Sequence, residues 1–417
     1  MQPVKGRGGF FRLSLGEFFW LVVLNLALFG SAIQEATGFT YVDELATLML
    51  LAAAIAKAVA PRGLSHTGLP HAVRASMNVG VASMVVVIAL GLLGNAKYGF
   101  QIGTVPIATD VFTCCKFPIA LVSSIVAFRE GETFARVAIA EAKALAIVIL
   151  AFGLLNVVYD FGMGFDFRFG IRSFRFVFPH PTYLVFFLVG LSILLMRDVK
   201  GNFGWLLIVF ASAVLSCRTK GIVFVAISLL LMFLLRDNRK LSWMHVVTIV
   251  AIALVVGWGQ YVTYFDTPGY ARGEMARASL EIANDLFPLG GGFAAFGSAV
   301  TADLAYYSPL YYVYGLSQVW GLEPGNPLFI SDTFWPTVLG QFGYLGCIAY
   351  AASLVALLIG TYVLSGTRRL AVLSCFAYLF ISSTSESAFF NPQSVSLAIC
   401  LGLALATTRN ALGQSVE

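Results

Sequence analysis

Charge is what this chain is short of. Only 11% of its 417 residues are Asp, Glu, Lys or Arg, against roughly 25% in soluble domains. With 59% hydrophobic residues and a mean hydropathy of +0.85, that shortfall excludes an ordinary soluble globular protein. Cysteine is sparse too. Cys114, Cys115, Cys217, Cys347, Cys375 and Cys400 show neither CxxC spacing nor a neighbouring histidine cluster, so no disulfide frame or zinc site is expected. They read as small core residues. An internal repeat is also lacking, which counts against the duplicated halves common in transporters. The net charge of +5 does not point to nucleic acid, because basic residues in such a chain mostly report topology.

What is abundant is apolar sequence in runs near 20 residues, each able to cross a hydrocarbon core of about 30 Å. The expected fold is an all-α polytopic membrane protein. Spans are expected at about 14–34, 41–60, 77–95, 105–128, 137–156, 179–196, 203–217, 219–235, 243–262, 333–364, 370–383 and 391–408. The start, "MQPVKGRGGFFRLSLGEFFWLVVLNLALFGSA", resembles a signal peptide, but a second apolar run follows at once, so it is read as an uncleaved first span. Residues 1–262 then form an N-terminal bundle of about nine spans, 263–332 one large loop, and 333–417 a C-terminal bundle of about three.

Basic residues orient the bundle. One set of tails and loops holds Lys5, Arg7, Arg12, Arg62, Arg74, Arg129, Arg136, Arg197, Lys200, Arg236, Arg239, Lys240, Arg368, Arg369 and Arg409. The opposite set holds only Lys97, Arg168, Arg172, Arg175, Arg218, Lys220, Arg272 and Arg277. The bias makes the first set cytoplasmic, so both termini lie inside and the long loop outside. The external cations stand where topology would leave the chain poor in them, which suggests an anion bound on the outer side; contact with lipid headgroups is the simpler alternative. Within the bundle, Glu141 and Lys143 lie close enough to a span end to snorkel. Lys116 is mid-span and needs a partner.

"AVLSCRTKGIVFVA" (213–226) sharpens the point. Residues 203–235 number 33, fewer than the roughly 40 plus a turn that two full crossings need. The hairpin tip is therefore expected below the outer surface, where Arg218 must face a cavity or water or else snorkel to headgroups.

The long loop opens with helical spacing in "GEMARASLEIANDLFPLGGGF", with Met275, Ser279 and Ile282 near one face and Leu280 and Leu286 extending it. Gly290 to Gly292 fit either a loop that approaches phosphate or, better on local sequence, a helix stop. The following stretch is rich in aromatics, among them Tyr311, Trp320 and Trp335, which suit a membrane-interface belt and also offer flat faces to sugar rings. Asp332, at the loop's end, is a candidate general base and equally a helix N-cap.

Four segments, in order, make the chain resemble the O-antigen polymerase and O-antigen ligase superfamily, GT-C-like integral membrane glycosyltransferases of bacteria. They are "RSFRFVFPHPTYLVFF", "LSCRTKGIVF", "ARGEMARASLEIANDLFPLGGGFAAFGS" and "SDTFWPTVLGQFGYLGCIAY". The resemblance covers roughly 160–350. It implies about a dozen spans in the inner membrane, both termini cytoplasmic, and an active site facing the periplasm. The family's arginines carry over to Arg218 and Arg272, with Arg172 or Arg175 at the basic position before His180. Ligases of the family usually carry a histidine at the end of the long loop; Asp332 stands there, which favours a polymerase. The implied substrate, donor and acceptor alike, is an oligosaccharide on undecaprenyl diphosphate, with a chain-length co-polymerase as a possible partner and no cofactor. Arg218 and Arg272 would hold the diphosphate, because guanidinium pairs bidentately with phosphate and stays charged. Asp332 would take the acceptor's proton. Lys220, Arg175, Arg172, His180, Arg277, Tyr311 and Trp335 are the expected further substrate contacts, and no metal motif is seen. Ligase-type transfer of a finished glycan and flipping of the lipid-linked oligosaccharide are the competing readings.

Overall fold

A computed structural model describes residues 14–60, 69–235, 262, 269–302 and 306–406. Most of them are helical. In chain order the elements are α1 (Leu15–Leu28), α2 (Gly30–Thr37), α3 (Val42–Val59), α4 (His71–Tyr98), α5 (Thr104–Phe128) and α6 (Glu132–Val158). A hairpin of β1 (Gly164–Arg168) and β2 (Ile171–Phe174) follows, then α7 (Pro181–Leu195), α8 (Val199–Leu215) and α9 (Thr219–Leu234). Beyond these come α10 (Ala271–Asp285), α11 (Pro309–Val313), α12 (Trp335–Ser365), α13 (Arg369–Ser382) and α14 (Pro392–Ala404). The span expected at 243–262 falls almost wholly outside the described residues.

Among the described residues, five helical stretches are long and apolar enough to cross a membrane, or six if the bent pair α1–α2 counts as one. Pro181–Leu215 and Trp335–Ser382 each contain a 3-10 turn, Met196–Asp198 and Gly366–Arg368, that separates two helices. α9 and α14 are apolar but shorter.

Burial follows hydrophobic periodicity. α7 is apolar all round, and everything from Leu184 to Leu195 is buried, which makes it a central helix. It packs on α8, α13 and α14, while α14 also meets α5. α4 and α6 expose apolar side chains such as Val85, Leu93, Ile147 and Leu155, the surface a hydrocarbon solvent would cover. α4 and α12 form a tight pair through small residues: Ser353 Oγ donates to Gly80 O (2.8 Å) and Ser76 Oγ to Ala356 O (2.6 Å). Lys116 finds its partner in Asp43 of α3, 2.6 Å away, with both side chains about 95% buried.

The fold is helical as expected, and the described residues add one small antiparallel hairpin, "GFDFRFGIRSF", in which Phe167 faces Arg172. The long loop is partly helical, as its spacing indicates, and its described residues build a second apolar core from Met275, Ile282, Phe296, Leu310, Tyr311 and Ile330, among others. The expected face of α10 is right for Met275, Ser279 and Ile282, whereas Leu280 is half exposed.

The glycine triplet is what attaches this second core to the bundle. α12 is broken at Gly343 (φ 63°, ψ −170°), which leaves carbonyls of its first turns without helical partners. Gly291 N–H donates to Gly340 O and Gly292 N–H to Gln341 O, both at 2.8 Å. A side chain at Gly292 (φ 90°) would strike Asn95, whose amide spans Phe293 through bonds to both its N–H and its C=O. Asp110 of α5 accepts from Ala294 N–H, Ser298 Oγ–H and Gln341 Nε2–H. The triplet's second and third amides are thus taken up by the protein, and it is a docking turn, not a phosphate loop.

Candidate functional site

The turn between α8 and α9 is tight. Ser216 Oγ–H donates to Ala213 O (2.5 Å) and accepts from Arg218 N–H (3.3 Å), and Cys217 takes a left-handed φ of 53°. Arg218 stands at the N-cap of α9 and is 7% exposed. α8 has 17 residues and α9 has 16, or about 25 Å each, less than the hydrocarbon thickness.

The Arg218 guanidinium reaches the β-hairpin. Its Nη2 lies 3.1 Å from Asp166 Oδ1, and the group sits 5.5 Å from the centre of the Phe165 ring. Arg168 Nε holds the other oxygen of Asp166 at 2.8 Å, and the Ser173 hydroxyl donates to the same carboxylate. Burial works against the Asp166 charge, but Ser173, Arg168 and Arg218 together outweigh it and hold this carboxyl below its usual range. His180 lies within the electrostatic reach of Arg218, Asp166, Arg168 and Lys220, and its Nδ1 caps α7 by accepting from Thr182 N–H (3.2 Å).

A second group adjoins the first through Lys220, in the first turn of α9. Lys220 Nζ pairs with Glu386 Oε1 at 2.9 Å and lies within reach of both Arg272 and Asp332. Arg272 Nη2 meets Asp332 Oδ2 at 3.0 Å, the side chains 20% and 33% exposed. The turn between α13 and α14 supports this corner: Ser387 Oγ–H donates to the carbonyls of Ser331 and Thr333, and Ser383 Oγ accepts from Trp335 Nε1.

Arg218, Lys220, Arg272, Asp332 and His180 therefore gather at one place from four separate segments. Other expected contacts fall elsewhere or have other work. Arg277 is half exposed and bound to Glu274 and Glu281 of its own helix, a surface arrangement at i,i+3 and i,i+4. Arg175 donates to the carbonyls of Gly162, Phe178 and Pro179, which shapes the chain before α7. Arg172 pairs with Asp160 at 3.5 Å and covers the Phe167 ring. Tyr311 cannot stack on a sugar, because it is fully buried and accepts from Gly297 N–H. Trp335 is half-buried at the start of α12 and tied to Ser383. Nor does Asp332 cap α12, whose N-cap is Phe334.

Three members were missed: Arg168, Asp166 and Glu386. The alternation Phe165-Asp166-Phe167-Arg168 was a usable signal for the first two, since period 2 on a strand puts both charges on one face. Chemically, four cations meet three carboxylates here. Each of Arg218, Lys220 and Arg272 carries an acidic partner, so none is left as an uncompensated charge in a poorly solvated place. A polyanion with more charge than a carboxylate can displace those partners. No protein-family model and no curated protein matches the chain.

Proposed function

We propose that the protein is a bacterial surface-polysaccharide polymerase. It joins undecaprenyl-diphosphate-linked oligosaccharide repeat units at the periplasmic face of the inner membrane, with inversion at the anomeric carbon. About twelve crossings and cytoplasmic termini belong to this reading. What supports it is the convergence of Arg218, Lys220 and Arg272 on one recessed place beside Asp332.

The donor's diphosphate takes Arg218 and Arg168 from Asp166, and draws Arg272 away from Asp332. Both exchanges favour the ligand, because charge-assisted bonds from guanidinium to phosphate are bidentate and strong. The second exchange also frees an oxygen of Asp332 next to the acceptor. The acceptor hydroxyl attacks the anomeric carbon and passes its proton to Asp332. The bond from that carbon to the phosphate oxygen breaks, and its electron pair stays on the diphosphate. Fixed cations stabilise the charge as it develops, a contribution on the order of 100- to 1,000-fold in rate for one well-placed donor. The arginines supply this stabilisation themselves, so the reading requires no metal.

The test uses protein in nanodiscs supplied with lipid-linked repeat units, with products resolved by length. Wild type should elongate, whereas Arg218→Ala and Arg272→Ala should fall by at least about 100-fold at normal expression and thermal stability. Wild-type-like polymer from both variants would sink the assignment. Movement of the lipid-linked sugar across the bilayer without elongation would replace it with a flippase.

A further inference from the structure

Beside Arg272 lies a cavity of about 520 Å³. Its walls are Gly269, Tyr270, Ala271, Arg272, Trp320 and Phe329. That volume is typical of sites for small organic ligands, as is a mostly apolar lining with a single charged group. Tyr270 is 45% exposed and Trp320 is 64% exposed, a large amount of aromatic face to leave open to solvent.

The aromatic wall is built, not left over. Trp320 and Phe329 pack at 5.3 Å between ring centres. Gly321 lies between them in sequence and space with φ 82°, and a Cβ there would fall 2.3 Å from the Phe329 ring, so only glycine allows this packing. The turn is closed by Phe329 N–H to Gly321 O (2.8 Å) and by Gly321 N–H to Glu323 Oε2 (3.0 Å). Glu323 also accepts from Asn326 Nδ2. Below it, Tyr307 O–H donates to Leu322 O.

The lining selects among ligands. The faces of aromatic rings carry negative potential, so an anion gains nothing from two of them. A lipid chain has no use for a guanidinium, and two of the walls, Ala271 and Phe329, belong to the second core. A neutral sugar suits both parts: its C–H faces lie on the rings, and its hydroxyls accept from Arg272.

We infer that this cavity binds the non-reducing end of the acceptor glycan, with Trp320 and Tyr270 as stacking faces. The placement as acceptor rests on the polymerase reading. Arg272 is shared: it lines the cavity and holds Asp332, so a hydroxyl of a sugar seated there lies beside the proton acceptor.

Two probes separate this inference from the proposed function. One is the free oligosaccharide released by mild acid from the producing cells' lipid-linked pool; the other is inorganic pyrophosphate. Both are titrated calorimetrically into the full chain in nanodiscs. The oligosaccharide should bind wild type and Arg218→Ala alike, and Trp320→Ala at least about tenfold more weakly. Trp320→Phe should keep most of the affinity, which guards against a folding defect. Pyrophosphate should show the opposite pattern, lost in Arg218→Ala and kept in Trp320→Ala. Equal oligosaccharide binding by wild type and Trp320→Ala would overturn the inference, as would no binding to wild type at millimolar concentration. Quenching of Trp320 by brominated lipid, read against Trp320→Phe, would also overturn it by placing that ring in headgroups.

Discussion

Asp166 shows how a single side chain links pH, a local fold and the site. Its side chain is about one-third exposed, and Ser173, Arg168 and Arg218 converge on it and hold its carboxyl below the usual 3.8. A depressed value means that the ionised form favours the folded hairpin. Its contribution is therefore whole above about pH 4, is lost as pH falls through the folded value, and is absent below it. Other carboxylates titrate in the same range, so the informative quantity is a difference. The thermal midpoint of wild type should exceed that of Asp166→Asn at pH 6 by more than at pH 3. Parallel curves over that range would mean that the ion pair adds nothing to the fold. In the sequence, alternation could put this carboxylate on one strand face with Arg168 but not beside Arg218, because that partner is 52 positions away and no periodicity connects them. Arg218 itself was legible, since a cation between two short apolar runs is conspicuous without any knowledge of its neighbours. Lys116 was legible in the same one-sided way, as a charge in need of a partner, and Asp43 stands 73 positions from it.

Between elements, the decisive device is the contact of the glycine turn with the broken helix α12. It fixes Arg272, at the start of α10, relative to Asp332, just before α12. Two glycines carry it. Gly343 sits at φ 63° with Pro288 O only 2.9 Å from a would-be Cβ, and Gly292 at φ 90° with Asn95 N at 2.5 Å. Gly343→Ala and Gly292→Ala should each destabilise by about 2 kcal/mol or more, from left-handed strain plus backbone collision. Gly325→Ala is the control, since nothing lies within 4 Å of its Cβ position. Differential scanning fluorimetry checks this; three equal midpoints would show that the docking turn adapts freely. The α10 helix and its inner face could be read from 3.6-residue spacing. The β-hairpin could not be read by the same route, because long apolar runs dominate the hydropathy on either side of it. Tyr311 illustrates the opposite error. Its aromatic character was legible, whereas its burial in a second core depended on Phe296 and Leu310, which no local pattern ties to it.

For the molecule as a whole, charge bias and helix length together make a statement about water. On the proposed topology Lys200 and the cations of its set mark the cytoplasmic side, so the turn at Arg218 points outward and, with α8 only 17 residues long, stops short of the surface. The same topology puts the exposed segment around Tyr312, in α11, on the outer side. Single cysteines test this in a background whose six native cysteines are replaced. An impermeant maleimide should label Tyr312→Cys in intact cells and Lys200→Cys only after the membrane is opened. Reversal of those two would invert the topology and place the arginine cluster at the cytoplasmic face, where the proposed polymerisation does not occur. Thr219→Cys, at the recessed turn, tests depth and hydration together. Thiolate chemistry needs water, so a small cationic or anionic methanethiosulfonate should reach it from outside through a hydrated cavity, and the bulkier maleimide should react much more slowly. The anionic reagent should be faster, because Arg218, Lys220 and Arg272 raise its local concentration, and added salt should narrow the difference. Failure of both small reagents would mean that the turn is sealed, and a sealed turn cannot admit a diphosphate.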